Sequence, residues 1–390
     1  MPIARWLVFL SVVLTVLGSV HYYLWIRLVR DTGMPAPWPA LLGWTLLGLL
    51  GAIPLGIAAS RSFPPSQTGP VFWVVFSWLG VMFFLLVLLL PTEVIRGGIT
   101  AITHLGWRDD LVANPERRLF LSRAAAVAVG FGAFGLSAVG LVATRGTIAV
   151  KRVSVRLATL APSLAGFRIV QLSDVHVGQT IGKGFIEALV AQVNALRPDL
   201  IAITGDLVDG SVAYLGDAVA PLAGLQARHG VYFVTGNHEY YSGVEAWLPF
   251  LQGLGIRVLR NERVSIERDG AVIDIAGIDD WSAHEFGHGA DLPRALAGWD
   301  RRRPVVLLAH QPRAIAEAAR HGVSLQLSGH THGGQIFPFN FLVKLQQPYV
   351  SGLHRHGDAQ IYVSRGTGYW GPPMRIGAPP EVTCIELHPA

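Results

Sequence analysis

Four stretches of about twenty residues carry no Asp, Glu, Lys or Arg, and all lie before Arg145. They are Trp6–Ile26, Trp38–Ala59, Val71–Leu90 and Ala124–Ala143. A bilayer's hydrocarbon core needs a helix of that length, so the pattern predicts a four-helix, all-α transmembrane region over residues 1–145. Tyr22, Tyr23, Trp25, Trp38 and Trp73 sit near the ends of these stretches, where aromatic rings favour the headgroup level. Buried helices of a soluble core would not need four such lengths in a row. His21, inside the first stretch, reads as interfacial rather than functional.

Four spans put both ends of this region on one side of the membrane. The first and third connections carry Arg27, Arg30, Arg96, Arg108, Arg117, Arg118 and Arg123. The opposite side carries Arg5, Arg61, Arg145, Lys151 and Arg152, so the balance is seven to five. By the positive-inside rule, the residues after 145 lie outside the cytoplasm. Arg117-Arg118-Leu119-Phe120-Leu121 ahead of an uncharged Ala/Gly-rich run has the form of a twin-arginine export signal, here internal to the chain. It also serves as the basic flank of a membrane helix. No Ala-x-Ala cleavage site follows, so the fourth span is expected to stay attached.

The remaining residues, 146–390, are long enough for a separate water-soluble domain. Net charge is +5, yet no basic run is dense enough for nucleic acid and no aromatic-rich RNA motif is present. The excess fits an anionic lipid neighbour, and no nucleic-acid partner is expected. Cys384 is the single cysteine, so it forms no intramolecular disulfide and reads as a buried structural thiol.

Gly146 to about Val153 reads as a short polar connection. Beyond it, short apolar runs repeatedly end in metal-ligand residue types. Phe167–Leu172 leads to Asp174-Val175-His176, and Leu200–Thr204 leads to Gly205-Asp206-Leu207-Val208-Asp209. Between them, Phe185, Leu189, Val193 and Leu196 have helical spacing, which makes a β-α-β unit. Val231–Val234 leads to Gly236-Asn237-His238-Glu239, and Val272–Gly277 to Asp279-Asp280. Val305–Ala309 leads to His310, and Ser324–Leu327 to Gly329-His330-Thr331-His332. Ile361–Ser364 and Val382–Leu387 read as strands closing the sheets. Open α/β sheets place ligands at strand C-termini, so these residues can converge. Oxygen and imidazole donors suit Zn²⁺, Mn²⁺ or Fe. Asp-x-His and His-x-His at strand ends would point both side chains one way, because residues i and i+2 project alike.

Taken together, these segments resemble the calcineurin-like metallophosphoesterase family over roughly Phe167 to Leu387. Gly-Asn-His-Glu and Gly-His-Thr-His carry most of the specificity; Asp-x-His alone would carry little. The resemblance implies an α/β fold, a four-layer α-β-β-α sandwich, and a site for two divalent metal ions (Mn, Zn or Fe). It implies one ion held by Asp174, His176 and His332, the other by Asn237, His310 and His330, with Asp206 bridging. Two such ions lower the pKa of a bridging water and neutralise phosphate oxygens, which gives a hydroxide for in-line attack on phosphorus. It implies His238 at the leaving group, as general acid or as a stabilising cation. Asp209 reads either as a partner of a ligand's free N–H or as a cap for the following turn. His284, after Asp279-Asp280-Trp281, is a loop residue that could lean over the site.

Ser364-Arg365-Gly366-Thr367-Gly368 through Arg375 and Pro379-Pro380-Glu381 resembles a membrane-linked bacterial branch of the family. That branch includes exported phosphodiesterases and is similar to UDP-2,3-diacylglucosamine hydrolases. Arg365 and Arg375 are candidate substrate contacts, because guanidinium matches phosphate in a bidentate way. Phe337-Pro338-Phe339-Asn340-Phe341-Leu342-Val343 is either a packed loop or an exposed apolar lip that dips into lipid. The expectation is a membrane-anchored phosphodiesterase, multi-pass in a bacterial cell membrane, with its catalytic domain on the extracytoplasmic side and a phosphate ester, lipid-linked or not, as substrate. The alternative is a UDP-2,3-diacylglucosamine-type pyrophosphate hydrolase acting on a nucleotide-lipid at the cytoplasmic face. A non-catalytic scaffold would require missing ligands, and every expected ligand is present.

Overall fold

The structure, a computed structural model, describes residues 3–105 and 114–390. Arg108, counted above in the third connection, lies outside the described residues. The chain forms two compact units, Met1–Phe63 with Gln67–Val139, and Gly140–Ala390 with Pro64–Ser66.

Within the first unit run α1 (Ile3–Leu28), α2 (Trp38–Ser62), α3 (Pro65–His104) and most of α4 (Pro115–Ala143). Among the described residues, these four helices are long and apolar enough to cross a membrane. At 40 residues, α3 outruns the apolar segment Val71–Leu90. Charge ends a span but not a helix, and Glu93 and Arg96 are good helix formers. Arg27 donates to Asp31 at 2.9 Å and to Glu93 at 2.5 Å, and the Tyr23 hydroxyl donates to Glu93 at 2.9 Å. Arg96 reaches Asp31 at 3.4 Å, and Arg123 Nε donates to the Thr32 carbonyl at 2.8 Å. Arg27, Arg96 and Arg123 therefore gather around Asp31, Glu93 and the Thr32 carbonyl at one end of this unit. His21 is buried and accepts the Trp78 indole N–H on Nε2 at 3.0 Å. Its Nδ1 lies 2.8 Å from the Leu17 carbonyl, so Nδ1 carries the proton.

The second unit begins with a strand, β1 (Ala149–Leu157), where the sequence predicts a polar connection. Lys151 and Arg152 are exposed while Val155 and Leu157 are buried, as on an edge strand with one covered face. The next strands are β2 (Phe167–Leu172), β3 (Leu200–Ile203), β4 (Val231–Phe233) and β5 (Ile256–Val258). They are followed by β6 (Glu262–Arg268), β7 (Ala271–Gly277), β8 (Val305–Leu308) and β9 (Leu325–Ser328). The last are β10 (Gly352–His356), β11 (Ala359–Val363) and β12 (Glu381–Pro389). They make two six-stranded sheets, in the orders β1-β12-β2-β3-β4-β5 and β10-β11-β9-β8-β7-β6.

Strands β2 to β5 are mutually parallel, and so are β7, β8, β9 and β11. Parallel strands put their C-terminal ends on one rim, which is where Asp174, Asp206, Asn237, His310 and His330 follow. Ile169, Leu200, Tyr232, Ile273, Val306 and Leu325 pack together between the two sheets. The outer face of the first sheet packs on α5 (Lys183–Ala195), α6 (Val212–Val219) and, beyond α7 (Asn237–Ser242), α8 (Val244–Gly253). The second sheet packs on α9 (Leu292–Ala295) and α10 (Ile315–His321). The result is the expected α-β-β-α layering. It explains why the central strands read as unbroken apolar runs: both of their faces are covered.

Trp247 is the largest fully buried side chain, and its indole N–H donates to the Gly210 carbonyl at 2.8 Å. Trp247→Ala is expected to destabilise this unit by about 3–5 kcal/mol. The measurement is the unfolding midpoint of the full chain in detergent; an unchanged midpoint would show that this helix layer does not depend on Trp247.

Candidate metal centre

At the shared rim, the candidate ligand residues meet in three overlapping groups. Asp174, His176 and His332 form one; Asp206, His310 and His330 a second; His176, Asp209 and His238 a third. In each, one donor atom per residue lies within 4.8 Å of the others. Asp206 Oδ2 lies 3.0 Å from His310 Nε2 and 3.9 Å from His176 Nε2, so one oxygen faces both of the first two groups. His176 Nε2 and His332 Nε2 are 3.0 Å apart, and His330 Nδ1 is 3.2 Å from His310 Nε2.

Neighbouring groups fix the ring orientations. His310 Nδ1 donates to the Thr204 carbonyl at 2.8 Å, and His176 Nδ1 donates to Asp209 at 3.0 Å. With the ring neutral, as metal binding requires, each contact would leave Nε2 as a lone-pair donor toward the cluster. Asp209 also takes His238 Nδ1 at 2.6 Å. Of the two readings of Asp209, the structure thus favours the partner of a ligand's N–H.

Whether a cation fits can be tested on the remaining donors. Asn237 Oδ1 is buried and has no hydrogen-bond partner. A buried amide oxygen left unpaired is costly, and a cation would satisfy it. A Cβ at Gly236 would come within 2.2 Å of Asp206 Oδ1, and one at Gly329 within 2.1 Å of Asp174 Oδ2. The glycines are therefore the space that the two carboxylates occupy. Oxygen and imidazole donors complete a set that fits divalent metals.

Electrostatics follow the same geometry. Burial opposes charge on Asp206, but His310, His238 and His176 outweigh it and hold the carboxyl well below its usual range. Burial likewise opposes charge on His310, yet Asp206 raises it well above the ordinary imidazole value. Burial and the nearby His310 push His330 down to about 3. Burial and Arg375 push His332 well below its usual value. Burial also opposes charge on the half-buried His238, but Asp206 and Asp209 raise it to about 9. Neutral His330 and His332 keep lone pairs for a metal, which only deprotonated ligands can bind.

Strand alternation does not explain how Asp174 and His176, or His330 and His332, come to point together. All four lie beyond the strand ends. Among the described residues, nine non-glycines have positive φ, and five of them are Asp174, His176, Asp206, His330 and His332. Left-handed backbone, strained for residues with a Cβ, aims these side chains. Hydrogen bonds hold the strain: both Asp174 oxygens accept the His330 N–H at 2.9 and 3.1 Å, and Asp206 Oδ1 accepts the His238 N–H at 2.9 Å.

Arg375 is not an open phosphate contact. It is 2% exposed, and it donates to the carbonyls of His332 at 2.8 Å, Arg365 at 2.7 Å and Gly368 at 3.0 Å. Those contacts hold the His332 loop against the C-terminal segment. Arg365 is half-buried and keeps its place beside Gly333. His284 turns back onto the Trp281 carbonyl at 2.7 Å.

Sequence reasoning assigned no role to Glu239. Its carboxylate is fully buried and accepts N–H groups from Gly236 at 2.6 Å, Leu207 at 2.7 Å, Asp206 at 3.0 Å and Val208 at 3.4 Å. Burial and then Asp206 raise its pKa to about 7 against the pull of those donors. The available signal was its place three residues after Gly236, the capping-box position. It joins the loops that present Asp206 and Asn237.

Residues 167–334 match the model of the calcineurin-like phosphoesterase family. A Bos taurus "transmembrane protein with metallophosphoesterase domain" is 43% identical over 76% of this chain and 70% of its own length. An uncharacterized metallophosphoesterase of Helicobacter pylori is 44% identical over 57% of this chain and 60% of its own. Among solved structures, the NAD nucleotidase of Haemophilus influenzae is 19% identical with a TM-score of 0.38, covering 51% of this chain and 50% of that one. The chain belongs to the calcineurin-like metallophosphoesterase family, and with its four apolar helices it is a membrane protein.

Glu239→Gln would turn one acceptor into a donor facing backbone N–H groups. It is expected to weaken Mn²⁺ binding about 10–100-fold while circular dichroism stays unchanged. Calorimetric titration measures this, and undiminished affinity would remove Glu239 from the support of the site.

Proposed function

We propose that this chain is a membrane-anchored, metal-dependent phosphoesterase that acts as a phosphodiesterase. The observation that carries the reading is the single Asp206 oxygen facing His176 on one side and His310 on the other. In this reading, Asp174, His176 and His332 would hold one divalent ion, Asn237, His310 and His330 would hold a second, and Asp206 would serve both. Such a pair supplies Lewis acidity toward phosphate and a water of lowered pKa.

The other residues act around that pair. Asp209 holds His176 and His238 through their Nδ1 atoms, which leaves Nε2 of His238 as its remaining ring nitrogen. The His238 side chain is 15% exposed, against 1% for His176 and 0% for His310. Tyr241 and Trp370 stand edge-on to its ring at 5.5 and 5.7 Å. A held, partly open imidazole beside the ligands suits proton delivery to a leaving alkoxide. Arg365 supplies positive charge at the rim for the ester's phosphate. The positive-inside balance, seven to five, supports an extracytoplasmic catalytic unit in a bacterial membrane; a reporter fused after Ala390 that works only in the cytoplasm would reverse that reading.

The test is a substrate panel with bis-p-nitrophenyl phosphate, p-nitrophenyl phosphate and lipid-linked diphosphates, each with Mn²⁺, Zn²⁺ or chelator. Chelator is expected to abolish hydrolysis and added metal to restore it, with the diester preferred to the monoester. Asp206→Asn should lose metal and activity together. His238→Ala should keep its metal and lose about 10²–10⁴ in kcat. If His238→Ala empties the site instead, its role is structural, and if metal-replete protein cleaves none of the panel, the reading fails.

A further inference from the structure

One apolar surface of the second unit contributes none of the candidate metal ligands. Phe337 (53% exposed), Phe341 (57%), Leu342 (55%) and Leu345 (82%) project from the segment after Gln335, and Trp370 is 55% exposed. The Gln335 amide ties the two stretches by donating to the Trp370 carbonyl at 2.7 Å. Lys344 Nζ lies 5.9 Å from the Phe341 ring centre, so an ammonium flanks the apolar tip. Behind it opens a cleft of about 670 Å³ lined by Phe337, Lys344, Tyr349, Ser351, His354 and Arg365. No Asp or Glu lines that cleft, and it also reaches Gly333, next to the candidate ligand His332.

The same unit includes the last residues of α4, and they are bonded to the base of this lip. The Arg375 N–H donates to the Gly140 carbonyl at 3.1 Å, and the Thr144 hydroxyl donates to the Pro373 carbonyl at 3.1 Å. A Cβ on Gly140 would lie 3.0 Å from the Met374 Cβ. One residue on, the Phe337 N–H donates to the Ile376 carbonyl at 2.9 Å, and the Ile376 N–H to the Gln335 carbonyl at 2.9 Å. The root of the lip is thus one short segment away from a helix end that must emerge from a bilayer. Exposed aromatic and aliphatic side chains flanked by cations suit the headgroup region of an anionic membrane.

We propose that Phe337–Leu345, with Trp370, is a bilayer-docking lip that enters the interface of an anionic phospholipid membrane. The cleft beside it, with Lys344 and Arg365, receives a phosphate-bearing lipid headgroup. Where this names a substrate class, amphiphilic phosphoesters met at the membrane surface, it rests on the phosphoesterase reading above.

Depth can be measured without turnover. The full chain carries Leu342→Cys labelled with an environment-sensitive maleimide; Cys384 is buried and out of the reagent's reach. It is reconstituted in phosphatidylcholine nanodiscs doped with phosphatidylglycerol. Lipids with a nitroxide on the acyl chain should remove most of the probe's fluorescence. They should spare the same probe at Arg302→Cys, whose side chain is 91% exposed in the turn before β8. Lys344→Glu, or removal of phosphatidylglycerol, should reduce the quenching several-fold. A water-exposed, unquenched probe at 342 overturns the proposal. So does a probe shielded from water but untouched by nitroxide lipid, which would mean that protein covers the lip. Metal content and bis-p-nitrophenyl phosphate hydrolysis are read on the same sample. Quenching without hydrolysis sinks the enzymatic reading alone, and hydrolysis without quenching sinks the lip alone.

Discussion

Packing two carboxylates and four imidazoles into one buried cluster sets like charges against each other and takes all of them from water. Either burden alone would drive these side chains apart or neutralise them. The chain resists this with fixed partners outside the cluster. Glu239 holds the backbone on either side of Asp206, the Thr204 carbonyl fixes His310, and Asp209 fixes His176 and His238. The left-handed residues then have nowhere to relax. A cluster built this way is preorganised for positive charge, and the unpartnered Asn237 oxygen beside it is a further donor a cation would satisfy.

Much of this was legible because the fold and the site obey one rule. A strand covered on both faces must be apolar throughout, so its end is marked wherever the first polar ligand appears. That is why Phe167–Leu172, Leu200–Thr204 and Val305–Ala309 could be read nearly to the residue, with Asp174, Asp206 and His310 just beyond them. Ala149–Leu157 broke the rule. It is an edge strand whose one neighbour is the distant Glu381–Pro389, and its Lys151 and Arg152 look like linker residues. No local pattern announces a partner more than two hundred residues away.

The site was legible in identity more than in geometry. Residue types and order named candidate ligands that the fold brings together, but spacing suggested strand alternation where the structure uses left-handed turns at Asp174, His176, His330 and His332. Arg375 misled for a related reason. An arginine among glycines near a phosphate site invites a substrate role, and only tertiary structure shows that its donors are taken by the carbonyls of His332, Arg365 and Gly368. Glu239 hid inside a motif whose neighbours had louder chemistry.

The burial of Arg375 also explains why the stretch around it matters beyond its own contacts. Its guanidinium supports the loop that presents His332, its backbone N–H meets Gly140 at the end of an apolar helix, and the next residue carries the root of the exposed lip. Two neighbouring residues thus bear on the candidate ligand loop, the helix end and the apolar tip. A side chain that only bound phosphate could be lost without disturbing the other two. One that ties carbonyls together cannot, because removing it would leave buried acceptors unpaired on both sides of the segment.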